Sequence, residues 1–387
     1  MISVAEALER VLALARPLPV ETVPLAAAAG RWLAEPLGAR LTQPPFDASA
    51  MDGYAIAGPA PAGAAFTVIG EAGAGHAFDG SLGPGEAVRI FTGAPVPDGA
   101  SHVALQEDVS RADARITLTA PADKTNIRHR GDDFAIGQMV TPRRLRPQDL
   151  ALLAAMNLDH LPLRRRPEVA ILTTGDELVM PGEQPRADQI VASNGFALKA
   201  LIEGVGGIAR LLPIARDTEA SLRAAFTLTE GADVVVTIGG ASVGDHDVVA
   251  RLAPDLGLDL AFHKIAMRPG KPLIAGNFRG TPLLGLPGNP VSAFTCAHLF
   301  LLPLLRAMQG DPAPAPQMKL ARLACDTGPT GPRAHYMRAH VENGVITPFQ
   351  RQDSALLSVL CEANALLLRP LGDGPRAVGD EVEYLPV

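Results

Sequence analysis

Aromatic residues are scarce in this chain: one Trp, three Tyr and 12 Phe make up 4% of 387 residues. Any core must therefore be packed from Ala, Leu, Val and Ile, which the 47% hydrophobic content readily supplies. The three cysteines, Cys296, Cys325 and Cys361, lie far apart without metal-ligand spacing. That excludes a disulfide scaffold and reads as free thiols in a cytoplasmic protein. The nine histidines form no H-x-H or H-x-x-x-H pair, which argues against a dedicated zinc site. No G-x-x-x-x-G-K-[ST] stretch occurs, so there is no P-loop. No apolar run reaches the ~20 residues of a membrane span without Pro, His or charge. Phe294–Leu305 comes nearest, and His298 and Pro303 interrupt it. A formal net charge of −7 argues against nucleic-acid and membrane-surface binding.

Glycine and proline, at 38 and 35 residues, are plentiful and predict many turns. At roughly 100–200 residues per domain, the length predicts two to four domains. Met1–Pro19 reads as an amphipathic helix rather than a signal peptide, with a second helical piece around Leu25–Ala34. Residues 44–145 turn to Gly, Pro and short β runs, a pattern that predicts a small β domain. Pro147–Asn157 is helical again, so residues 1–43 with 146–166 form a helical N-terminal domain around an inserted β domain. From 167 to 310, strand and helix alternate, as in a doubly wound α/β sheet. After the proline-rich stretch Asp311–Pro316, residues 317–387 carry short apolar runs and turns that fit a β-barrel-like C-terminal domain.

In a doubly wound sheet, ligands bind beyond the strand C-termini. Three predicted loops lie there. The first is Gly239–Asp247, after the strand-like run Val234–Ile238. Its glycines, Gly239, Gly240 and Gly244, let backbone amides approach a ligand beside Ser242, and a helix is expected to start near Asp245. Asp245 and Asp247 offer hard oxygen ligands suited to Mg²⁺. The second is Thr173–Glu177, where Asp176 and Glu177 sit over the same edge; an ordinary capped turn explains it equally well. The third, Pro287–Ser292, carries Asn289 and joins a strand to a long helix. It reads as an oxyanion cradle or as a simple helix start. A fourth segment, Lys264–Pro272, holds Lys264, Arg268 and Lys271 on a Pro- and Gly-stiffened loop. It suits an anionic substrate or is a solvated basic turn.

Taken in order, Pro45–Ala55, Val88–Pro97, Asn126–Phe134, Leu172–Leu178, Gly239–Asp247, Ile265–Pro272 and Leu286–Phe294 closely resemble the motifs of the MoeA family, the molybdopterin molybdenumtransferases. Gln352–Leu368 matches the family's C-terminal signature more loosely. The resemblance implies that residues 167–310 bind molybdopterin. It implies insertion of molybdate into adenylylated molybdopterin, with release of AMP and with Mg²⁺ as cofactor. It also implies a homodimer that makes transient contact with other molybdenum cofactor biosynthesis proteins. It carries catalytic roles onto Asp52, Thr92, Asp133, Glu177, Asp217 and Asp247. Metal binding falls to Glu177, Asp245 and Asp247. Gly239, Gly240, Ser242, Gly244, Lys264, Pro287 and Asn289 would hold the pterin and its phosphate, and Arg268, Lys271, Ser292, Arg338 and Ser358 the molybdate. Arg268 stands where many relatives carry Lys, and Asp353 replaces the usual Gly of a Gln-Gly-Ser turn. An adenylyltransferase and a non-catalytic scaffold are the competing readings; molybdate-dependent AMP release separates the first from the expected reaction.

Overall fold

The computed structural model describes residues 1–239 and 257–387. Gly240, Ser242, Gly244, Asp245, Asp247 and the expected helix His246–Leu252 lie outside the described residues. The chain divides into two compact units: Met1–Glu21 with Gly30–Ala34 and Pro162–Val387, and Thr22–Ala29 with Glu35–Leu161.

The larger unit contains a six-stranded sheet in the order Ile208–Leu211, Glu168–Thr173, Val234–Ile238, Thr281–Leu286, Ile274–Phe278, Leu258–His263. The first four strands run parallel. Strand Val234–Ile238 is buried throughout, as its unbroken β-branched run requires. Its side chains alternate between two cores, with Val234, Val236 and Ile238 on one face and Val235 on the other. The first face is covered by helices Val4–Leu12, Asn194–Gly204 and Pro290–Met308, the second by Glu219–Thr227. Each fully buried aliphatic side chain in such a core contributes roughly 1.5–3 kcal/mol relative to exposure. The last two strands are antiparallel to their neighbours. A two-residue turn, Arg279-Gly280, causes the reversal: both residues have positive φ, 50° and 85°, the geometry that matches strand twist in a tight hairpin.

Helix Val4–Leu12 is capped by Ser3, whose hydroxyl accepts from the Glu6 amide, and Ala7 and Val11 enter the α/β core. Helix Pro290–Met308 is the one described helix long and apolar enough to cross a membrane, and 78% of its most apolar window is buried in this unit. It accommodates Pro303 through a wider turn at Ala297–Leu301, where the Leu302 amide donates five residues back to Ala297.

Five strands, Lys319–Leu323, Ala334–Glu342, Val345–Pro348, Ala365–Arg369 and Glu381–Pro386, close into a small barrel around Ala321, Leu323, Ala339, Ile346, Ala365, Leu367 and Val382. Asn343-Gly344 makes its tightest hairpin. Strand Met267–Arg268 adds in parallel to Ala334–His335, which ties the basic loop of the α/β layer to the barrel.

The smaller unit is built on a mixed six-stranded sheet: His102–Leu105, Gly53–Ile56, Glu86–Ile90, Ala65–Ala72, Arg115–Leu118, Val109–Ala112. Both its faces are buried, with Tyr54 and Ile56 on one side and Ala55 on the other. Helix Pro147–Ala155 also belongs here. The expected helix Leu25–Ala34 is corrected: only a 3-10 turn, Leu25–Ala27, forms. Pro24 and Gly30 bracket a stretch too short to repay helix nucleation, however rich in alanine.

Candidate active site

The parallel strands of the larger unit end in loops that surround a cavity of about 570 Å³. Thr173, Thr174, Glu177, Ile238, Gly239, Pro287, Gly288, Asn289 and Pro290 line it, together with Ser193 and Asn194. The strand ends are stitched together: the Thr174 amide donates to Ile238 (3.0 Å) and the Gly239 amide to Leu286 (3.1 Å). Asn194 opens one helix and Pro290 another, and the Asn194 amide side chain donates to the Gly288 carbonyl at 2.6 Å. Two helix N-termini therefore face one cavity, a setting that favours negatively charged groups.

The acidic turn stands at the same edge. Gly175 has φ 151°, and any Cβ there would collide with the Glu177 carboxylate, so glycine allows the acid to fold back over the turn. Arg216 braces this turn by donating to the Asp176 and Leu178 carbonyls at 3.1 and 3.2 Å. The Asp217 amide donates to Asp176 Oδ1 at 3.2 Å, which places Asp217 beside the turn, although it does not line the cavity. Among the described residues, no three His, Cys, Asp or Glu side chains group to hold a metal. Of the three carboxylates expected as metal ligands, Glu177 alone is described, and it lines the cavity.

A second cavity of about 490 Å³ adjoins the first at Pro272. Arg268, Lys271, Arg333, His335, Ser292, Gln352 and Ser354 line it, and among the described residues no carboxylate does. The basic loop closes on itself, with the Lys264 amide donating to Leu273 and the Ile265 amide to Lys271. That closure sets Arg268 and Lys271 on the wall while Lys264 stays off both linings. Ser292 is almost fully buried in the first turn of its helix. The Arg351–Leu356 loop docks onto that turn: the Val291 amide donates to the Ser354 carbonyl, and Asn289 Nδ2 donates to Ser354 Oγ, both at 3.1 Å.

Arg338 does not reach the cavity as an open cation. It is buried, and Nη1 and Nη2 donate to the Leu356 and Arg351 carbonyls at 3.2 and 3.1 Å. Burial holds its pKa below the ordinary arginine range. Gln352 completes this brace by accepting from the Arg338 amide and donating to the Arg338 and Phe349 carbonyls. Ser358 is exposed and lines neither cavity, whereas Ser354 does. Nothing in the sequence singles out Arg333 and His335 for this site. Basic Arg333 and His335 sit two apart at the start of a strand, a spacing that sends both side chains to one face.

In the smaller unit, the three matching motifs converge. Ala48–Ser49 pairs with Ile127–Arg128, Ala48 bridges to Pro95, and Gly93 and Ala94 exchange hydrogen bonds with Ser49. Asp52 accepts from the Thr92 amide at 2.7 Å and the Thr92 hydroxyl at 2.8 Å, and these two bonds, with Arg89, hold its carboxyl below the usual range. Asp47 is similarly lowered, first by the Arg130 amide and then by His129. Asp133 is exposed on the same motif, its amide donating to Gln43.

An α/β layer whose strand ends carry a cavity faced by two helix N-termini, beside a cation-lined cleft, has the architecture of a small-molecule-binding α/β domain with a chemistry suited to anionic groups. Three family models match the chain: the MoeA N-terminal region (domain I and II) over residues 2–157, a probable molybdopterin binding domain over 170–307, and the MoeA C-terminal region (domain IV) over 320–387. A molybdopterin molybdenumtransferase of Nostoc sp. is 34% identical over 94% of this chain and 88% of its own length. One from Haemophilus influenzae is 36% identical over 76% of this chain and 75% of its own. A crystal structure of a molybdopterin biosynthesis MoeA protein from Pyrococcus horikosii superposes with a TM-score of 0.84 at 32% identity, covering 100% of this chain and 99% of that one. The chain belongs to the MoeA family of molybdopterin molybdenumtransferases.

Proposed function

We propose that this chain inserts molybdate into adenylylated molybdopterin and releases AMP, a late step of molybdenum cofactor biosynthesis. The observation that carries this reading is the pairing of the two cavities across Pro272. One has two helix N-termini and the Glu177 carboxylate, suited to a phosphorylated organic substrate. The other has cations and hydroxyls and, among the described residues, no carboxylate, which suits a small tetrahedral dianion. Pro287, Gly288, Asn289 and Asn194 would hold the phosphate side of the pterin, with Gly239 beside them. Arg268, Lys271, Ser292 and Ser354 would hold molybdate next to the dithiolene, replacing the two-body encounter by a fixed geometry. Glu177, with Asp245 and Asp247, would hold Mg²⁺, whose charge supports departure of AMP. Asp52, kept ionised by Thr92, and Asp133 complete the expected catalytic set, and the four-domain division and the homodimer belong to the same proposal.

Incubating the purified chain with adenylylated molybdopterin and molybdate tests the reading. AMP release that requires molybdate supports it. ATP consumption with AMP transfer to molybdopterin would assign the chain to the adenylyltransferases instead.

A further inference from the structure

The basic cavity contains a histidine that the anion-binding reading does not use. Arg268 and His335 are register partners on adjacent parallel strands, so their side chains emerge side by side. Arg268 Nη2 lies 2.9 Å from His335 Nδ1. A guanidinium only donates, so Nδ1 must accept and the imidazole proton must reside on Nε2. His335 is 7% exposed, which leaves its ring little room to turn away from the arginine. Arg333 just before its strand, Arg338 on it, Arg268 on one neighbouring strand and Arg369 on the other all act on it with positive charge.

We propose that His335 is the positioning residue for Arg268: a neutral acceptor that aims the guanidinium at the anion without cancelling its charge. The proposal rests on the reading of this cavity as the molybdate site. An unanchored arginine samples many rotamers and loses entropy on binding. A carboxylate at the same place would anchor it as well, but would pair with the cation and repel an incoming dianion. An imidazole held neutral supplies the hydrogen bond alone. Burial and the surrounding arginines keep it in that form, at about 4.

The test compares His335→Asn, His335→Ala, His335→Glu and Arg268→Ala, alone and combined, by kcat and KM for molybdate and by molybdate titration calorimetry. Asn places an amide oxygen near the Nδ1 position. Arg268→Ala should raise KM for molybdate about tenfold or more, the worth of a charge-assisted hydrogen bond. His335→Ala should raise KM several-fold with kcat little changed, and should add nothing on top of Arg268→Ala. His335→Asn should restore near-normal KM. His335→Glu should be worse than His335→Ala, because it neutralises the arginine. Additive losses in the Ala pair, or a Glu variant that binds molybdate as well as the parent, overturn the positioning role while leaving the anion site standing. An Arg268→Ala variant with unchanged molybdate KM overturns both. Calorimetry on His335→Asn keeps the test decisive if the Ala variant fails to fold.

Discussion

The two cavities of the larger unit share Pro272 and otherwise have opposite characters. Among the described residues, the larger one presents Glu177 and two helix N-termini; the smaller presents arginine, lysine and hydroxyls and no carboxylate. A single acidic chain thus keeps a cation-lined cavity next to the one that Glu177 lines. The Arg351–Leu356 loop, braced by Arg338 and Gln352, sets Ser354 on the wall of the smaller cavity.

The largest expected effect falls on the acidic side. Glu177→Gln keeps size and polarity but removes the charge, and AMP release should fall by about 10²–10³-fold with unchanged thermal stability, since the residue is exposed. A fall below tenfold would erase the chemical contrast between the cavities. On the basic side, Arg338→Met should cost about 2–4 kcal/mol in urea unfolding, because two carbonyls lose their charged donor inside the protein. Its molybdate affinity should drop as a consequence of the loosened loop. A variant with full stability would show that the loop stands without the brace.

Ser354→Ala should raise the KM for molybdate about tenfold, whereas Ser358→Ala should leave it within about twofold. The reverse order would move the anion site off the cavity lined by Ser354. The gentlest contrast is with pH. His335 and His298 are buried, and burial above all lowers each to about 4 from an ordinary 6.5. Between those values the unfolded chain binds more protons than the folded one. Stability should therefore be full above about pH 6.5 and decline on acidification towards 4, by up to ~1.4 kcal/mol per pH unit for each histidine. Urea unfolding of His335→Asn should show a shallower decline across that range than the parent; an identical slope would mean that the imidazole is already charged in the folded chain.

Much of this was legible in the residues. The run Val234–Ile238 announces a strand covered on both sides, and it has that role. Pro290 marks a helix start, and the asparagine and glycine of Glu342–Val345 a tight hairpin. Leu25–Ala34 misled because alanine content favours helix only where the segment is long enough to repay nucleation. The choice between Ser354 and Ser358 was closed to sequence reasoning, since both lie on one short loop-helix segment. Which one faces the cavity depends on Asn289, 65 residues away.

What the amino-acid order determined by itself is local: strand and helix periods, turn chemistry, and the types of side chain that can meet phosphate or molybdate. These follow from interactions over a few residues. Only the tertiary structure decided that Arg268 leans on His335, that Arg338 is a buried brace, and that Ser354 enters the pocket. Those outcomes depend on register and docking between segments about 15 to 70 residues apart, where the energy of one arrangement over another is set by long-range packing that no local pattern encodes.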